Sequence, residues 1–128
     1  MMIVIGWLGA CANLPAAEGQ KKVFIIPIRD EIAEPLVYTV RRGVKEAMDA
    51  KADAILINMD TYGGSVKSMI EIAEIINQFK GETISYVNTK AFSAGALICF
   101  ATKKIYMAPQ SQIGAAAVVT SAPNGGGI

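Results

Sequence analysis

The sequence predicts an α/β domain built on a mainly parallel sheet. Short runs rich in β-branched and aliphatic residues alternate with segments whose apolar residues recur at three- and four-residue steps. No internal repeat or low-complexity block interrupts that alternation before the end of the chain. At 128 residues there is room for one domain of this kind.

Residues 23–28, VFIIPI, are a short apolar run suited to a strand buried on both faces. Pro35 then sits where a first helical turn tolerates it. Leu36, Val37, Val40, Val44, Ala47 and Met48 mark the buried side of an amphipathic helix ending near residues 50–52, with Arg41, Arg42, Lys45 and Asp49 opposite. Residues 54–59, AILINM, form the second strand, which runs straight into DTYGGSV. A second helix comes next, with Val66, Met69, Ile70, Ala73, Ile76 and Phe79 expected on its buried side. The third strand is 83–88, a third helix opens at Ser93, and the fourth strand is 104–108. Right-handed crossovers make such a sheet parallel and collect its strand-to-helix turns on one edge, where α/β sites form. Gly63, Gly64 and Ser93 are therefore expected to meet.

Charge and composition narrow the chemistry. Lys+Arg (12) nearly balances Asp+Glu (11), so nothing marks a nucleic-acid partner. The chain has no histidine, which removes the commonest general base and metal ligand. The two cysteines, Cys11 and Cys99, show neither disulfide-framework nor zinc spacing; Cys99 reads as a small buried hydrophobe, and no cofactor is called for. Residues 1–17 carry no charge and are too short for a comfortable membrane span, but suit an export leader. Cleavage is expected near residues 12–17. Residues 8–11, LGAC, also match a lipoprotein signal with Cys11 as the lipidated end. The reading is a leader over 1–20 and one domain over 21–128. The glycine-rich close, TSAPNGGGI, marks that domain as cut short at its C-terminal end.

The residues that carry chemistry surround Ser93. Ala94, Gly95 and Ala96 come after it with almost no side chain, leaving helix-start N–H groups exposed beside its hydroxyl. That setting favours the oxyanion formed when a serine attacks a carbonyl, and the N–H of Ala94 is one donor. Gly64 is the second, because the Gly63-Gly64 pair brings bare backbone close to a substrate. Taken alone, Ser93 reads as a helix cap and the glycines as a turn; their joint placement on neighbouring turns points to a site. Asp60 reads as a turn acceptor. Tyr62, Gly63, Ser65 and Val66 line the substrate side, where an extended peptide can pair with the edge at 64–66; residues 114–119 form either core or one wall of the groove.

The segments ILINMDTYGGSV and AFSAGALICFATKKIYMAPQSQIGAA resemble the ClpP-class serine peptidases, and within them the membrane-bound NfeD-type branch, related to signal peptide peptidase A. The resemblance covers roughly residues 22–120. It implies a ClpP/crotonase-type spiral of β-β-α units, Ser93 of the S-A-G motif as nucleophile, and Gly64 and Ala94 as oxyanion donors. Tyr62 replaces the proline of the family's D-T-P-G-G turn, removing a preset φ. A Ser-His-Asp triad is impossible without histidine, and the NfeD-type branch implies a Ser-Lys dyad whose lysine lies a few tens of residues after the serine, past Ile128. Lys103 and Lys104 lie roughly 15 Å along a helix from Ser93. Lys90 would need burial to lower its pKa, and Lys67 reads as solvated.

The first reading is thus an exported, membrane-associated Ser-Lys endopeptidase domain working through an acyl-enzyme on Ser93, with its base outside residues 1–128. The resemblance further implies a polypeptide substrate, a stomatin-like membrane partner with an apolar cleavage segment, and self-association. A second reading is a peptide-binding scaffold of the same fold without a working base. A third is crotonase-type acyl-CoA chemistry, which uses the same oxyanion hole without a nucleophile.

Overall fold

The computed structural model describes residues 20–117. Four strands and three helices alternate as the sequence predicts, and a short fifth strand that it did not predict comes after them: β1 (Val23–Arg29), α1 (Glu34–Asp49), β2 (Ala54–Thr61), α2 (Val66–Gln78), β3 (Glu82–Phe92), α3 (Ala94–Phe100), β4 (Lys104–Met107) and β5 (Gln112–Gly114). All strand pairs are parallel, and the order β1-β2-β3-β4 runs with the chain. The upper part of β3 pairs with β5 instead, through Lys90↔Gln112 to Phe92↔Gly114. This is a mixed α/β, ClpP-like arrangement. The leader expected over 1–20 falls almost wholly outside the described residues, as does Cys11.

Sequential order with right-handed crossovers places the helices on one face of the sheet. That face carries Ile26 and Ile28 of β1, Ile55, Ile57 and Met59 of β2 and Val87 of β3, packed against Val40 and Val44 of α1, Ile72 and Ile76 of α2, and Ile98 of α3. The other face is open among the described residues. The first strand, expected to be buried on both sides, therefore has Val23 44% and Ile25 65% exposed. It is an edge strand covered on one face, and a short apolar run carries no information about which of these it is.

Helix phase needs a similar correction. In α1 the buried set is Val37, Val40, Val44 and Ala47 as expected, but Met48 is exposed. In α2 the core face is Ser68, Ile72, Ile75 and Ile76, while Val66 and Ile70, expected inside, are exposed. Apolar residues cover more than half the circumference of α2, so periodicity leaves the edge of its buried face open and packing against α1 and α3 fixes it.

Two features aim the strand ends toward one point. Between Met59↔Val87 and Thr61↔Ala91 the β2–β3 register shifts, because β3 has three residues, Asn88, Thr89 and Lys90, where β2 has Asp60 alone. Such a bulge bends the strand and re-aims the residues beyond it. The β1–α1 loop also joins the edge through a parallel bridge between Ile32 and Gly64. There Ile32 N–H donates to Gly63 C=O at 2.9 Å and Ser65 N–H donates to Ile32 C=O at 2.8 Å.

Candidate active site

Ser93 joins β3 to α3 with φ 52° and ψ −121°, a conformation that costs a non-glycine residue on the order of 1–3 kcal/mol. Its backbone is held on both sides: its N–H donates to Gly114 C=O at 2.8 Å, and its C=O accepts from Ala96 N–H at 3.0 Å. Its side chain makes no capping hydrogen bond. The capping role open to a serine before a helix is thus not the one Ser93 takes. The strained turn presents its hydroxyl instead, as a strand-to-helix nucleophile elbow does.

Gly63 and Gly64 lie against this turn. A Cβ on Gly63 would stand 2.8 Å from Ser93 Cβ, 2.9 Å from Phe92 O and 3.3 Å from Ala94 N. Gly63 has φ 110° and Gly64 φ 153°, both in the region that favours glycine. In the Ile32 bridge the exchanging bonds belong to Gly63 and Ser65, so Gly64 directs its own N–H and C=O away from Ile32. Gly64 and Ala94 both face a hollow of about 300 Å³ that contains Ser93 and is walled by Val66, Leu97, Ala116 and Ala117. The structure thus brings together Ser93, Gly63, Gly64, Ala94 and Val66. It also gives residues 116–117 the role of groove wall rather than core; Val118 and Val119 lie outside the described residues. Ser65 stands beside them as the cap of α2, its hydroxyl accepting from Ser68 N–H at 3.2 Å.

Three further residues contribute, and sequence reasoning passed over Thr61 and Leu97 and saw only part of the role of Gly95. Thr61 is buried; its hydroxyl donates to Asp30 C=O and accepts from Gly63 N–H at 3.0 Å, tying the glycine turn to the β1–α1 loop. Gly95 lets α3 approach β2, since a Cβ there would meet the Thr61 methyl at 2.5 Å. Leu97 is part of the groove. The threonine of the D-T-x-G-G turn was the available signal for the first.

Asp60 is not a turn acceptor. It accepts from Lys90 Nζ at 2.7 Å, and that ammonium sits 4.4 Å from the Tyr62 ring centroid. The Asp60 hydrogen bond raises the Lys90 pKa above the usual lysine range, which keeps it charged and unsuited to act as a base. Lys103 donates to Gly81 C=O at 2.8 Å, Lys104 pairs with Glu82 at 3.1 Å, and Lys67 is exposed on α2. Among the described residues, each lysine weighed as a base is therefore engaged elsewhere or in solvent.

Cys99 is fully buried on α3, and burial pushes its thiol pKa up. We expect no alkylation at Cys99 by iodoacetamide in the native protein and full modification after unfolding, read by peptide mass mapping. Modification under native conditions at the rate of a free thiol would contradict this placement.

The helices of the described residues include none long and apolar enough to cross a membrane. Residues 22–127 match the family model of the NfeD1b N-terminal domain. The chain is 36% identical over 123 residues to the membrane protein NfeD1b of Bacillus subtilis (strain 168), covering 96% of this chain and 28% of that protein. It is 32% identical over 109 residues to the membrane-bound protease PH1510 of Pyrococcus horikoshii, covering 83% of this chain and 25% of that protein. It thus spans little more than a quarter of these relatives. Among solved structures, a serine-to-alanine variant of the 1510-N membrane-bound stomatin-specific protease superposes with a TM-score of 0.75 at 31% identity, covering 85% of this chain and 55% of that one. A lysine-to-alanine variant of the same protease, in complex with a substrate peptide, gives 0.75 at 32% identity, covering 86% and 52%. With residues 22–127 matching that family model, the chain belongs to the NfeD1b N-terminal-domain family.

Proposed function

We propose that this chain is the protease domain of a membrane-associated serine endopeptidase, hydrolysing peptide bonds through an acyl-enzyme on Ser93. The observation that carries this reading is the strained Ser93 turn, with its hydroxyl outside any cap, beside a Gly63-Gly64 turn that only glycines can form there. Support comes from a relative named as a membrane-bound protease and from the serine and lysine variants in which that protease's structure is known.

In the proposed reaction Ser93 Oγ bonds to the scissile carbonyl carbon as its proton passes to a neutral lysine amine. The carbonyl electron pair moves to oxygen, where the N–H groups of Gly64 and Ala94 hold the oxyanion. The C–N bond then breaks, the leaving nitrogen takes the lysine's proton, and water hydrolyses the ester. The lysine belongs to the continuation of the domain past Ile128, in keeping with the spacing of the substituted residues in the archaeal protease. We place the domain over 21–128 and beyond, behind a leader at 1–20, on the extracytoplasmic face of a membrane and in a self-associated form. No cofactor enters the scheme.

The groove favours an extended polypeptide paired along 64–66 and 115–117, with an aliphatic side chain in the hollow between Val66, Leu97, Ala116 and Ala117. Tyr62 and Gly63, expected on the substrate side, line a neighbouring hollow with Asp30 and Glu31 that meets this one at Gly64, and Ser65 faces away with Ala33 and Lys67. A stomatin-like membrane protein with an apolar segment suits these walls, and stomatin is named in the description of the archaeal protease. Leu97→Ala should lower kcat/KM about tenfold for peptides with Leu or Val before the scissile bond. It should change little for peptides with Ala there; equal losses on both would remove Leu97 from the specificity wall.

The test is mass spectrometry of the full-length protein after brief incubation with an apolar peptide. An acyl adduct on the Ser93 peptide, together with cleaved product, is the expected result. The alternative is the scaffold reading, since each lysine weighed as a base among the described residues is engaged elsewhere or in solvent. It predicts saturable peptide binding without adduct or cleavage.

A further inference from the structure

The turn that carries Gly64 lacks the proline that would preset it, and the cross-strand contacts beside it show what holds it in place. Thr61 and Ala91 are register partners whose side chains are buried. Alternation along each strand then sends Asp60 and Tyr62 of one, and Lys90 and Phe92 of the other, to the opposite side. There the four side chains form a chain of contacts. Lys90 Nζ lies 2.7 Å from Asp60 Oδ1 and 4.4 Å from the Tyr62 centroid, and the Tyr62 and Phe92 rings are tilted at 52° with centroids 6.1 Å apart. Tyr62 immediately precedes Gly63-Gly64 and Phe92 immediately precedes Ser93, so the four residues join the two turns that must keep a fixed spacing.

We propose that Asp60, Tyr62, Lys90 and Phe92 form a latch that sets the separation between the Gly64 donor and Ser93, making Lys90 and Tyr62 positioning residues for the reaction. This inference rests on the protease reading for its kinetic consequence, though not for its structural one. Lys90 is only 20% exposed although charged, because Asp60 and the ring face share its ammonium. Its partners are both on β2 or just past it, so the ammonium ties strand to strand rather than bracing its own. A shift of one turn against the other by even a fraction of an ångström alters transition-state contacts more than substrate binding. The ring does by contact what the missing proline would do by covalent geometry.

The test uses full-length protein carrying Lys90→Met, which keeps the aliphatic stem and removes the charge, Lys90→Arg as the conservative rescue, Tyr62→Leu, and the Lys90→Met/Tyr62→Leu pair. Peptide kinetics are read alongside amide hydrogen exchange of residues 62–65 and 92–95. Lys90→Met is expected to lower kcat about tenfold with KM within about twofold, and to speed exchange in those two segments while α1 is unaffected. Lys90→Arg should recover most of kcat, and the pair should lose no more than the larger single loss. Unchanged kcat and unchanged exchange in Lys90→Met, or losses that simply multiply in the pair, would overturn the latch. If the wild type neither cleaves nor acylates, the protease reading has failed. The latch then stands or falls on the exchange of the two turns alone.

Discussion

Ser93→Ala should reduce kcat/KM of the full-length protein by about 10⁴- to 10⁶-fold while leaving its thermal unfolding nearly unchanged. On the proposed mechanism the activity loss would come from removing the atom that bonds to the substrate, and the residual rate from binding and from the N–H groups of Gly64 and Ala94. Unfolding is unaffected because the hydroxyl caps nothing and the backbone bonds of residue 93, to Gly114 and from Ala96, do not involve the side chain. Ser93→Gly sharpens the prediction. With φ 52° and ψ −121° no longer strained, it should be more stable than the wild type by about 1 kcal/mol, and equally inactive. Calorimetry and peptide hydrolysis on the same preparations decide the matter. A serine kept for capping would lose stability in both variants and keep any activity the protein has, and that pattern would refute the nucleophile assignment.

Gly64→Ala should cause the second-largest loss, in stability and activity together. The added Cβ would fall 2.3 Å from Ile32 O and 2.7 Å from Ile32 N, both backbone atoms that cannot swing aside. Left-handed strain and overpacking each cost roughly 1–3 kcal/mol, so a loss of about 2–6 kcal/mol in denaturant unfolding is expected. Relief requires moving Ile32 away, which breaks its bonds with Gly63 and Ser65 and turns the Gly64 N–H out of the groove. Loss of one oxyanion donor is worth about 10²- to 10³-fold in kcat. An alanine at position 64 that leaves both quantities at wild-type values would show that neither the bridge nor the donor is as described. Gly63→Ala makes a useful contrast: its Cβ would press on Ser93 and Phe92 O rather than on Ile32, disturbing the nucleophile before the donor.

Much of the architecture is legible in the chain alone. The alternation of apolar runs and helical spacing determined the element order up to β4, because each element's period is a local property of the chain. Parallel pairing came from connection lengths too long for hairpins. The meeting of Gly63, Gly64 and Ser93 at one edge came in turn from that topology. Ser93, Gly64 and Ala94 stood out as candidates because bare backbone next to a hydroxyl leaves a mark in composition.

What only the tertiary structure decided is relational. Whether β1 is buried on one face or two depends on what lies across the sheet, and VFIIPI reads the same either way. The buried face of α2 depended on which side met α1 and α3, since Val66 and Ile70 are as apolar as Ile72 and Ile75. Asp60 became the partner of Lys90 rather than a turn acceptor through a register shift across residues 88–90, roughly thirty positions along the chain and invisible to any local pattern. Ser93 reads as an ordinary cap until its φ and ψ are known, because a cap and a strained elbow use the same residue before the same kind of helix. Composition and periodicity act over a few residues and so determined the elements and the candidate chemistry. The distances that turn candidates into a site are set by contacts between segments far apart in sequence, which only folding supplies.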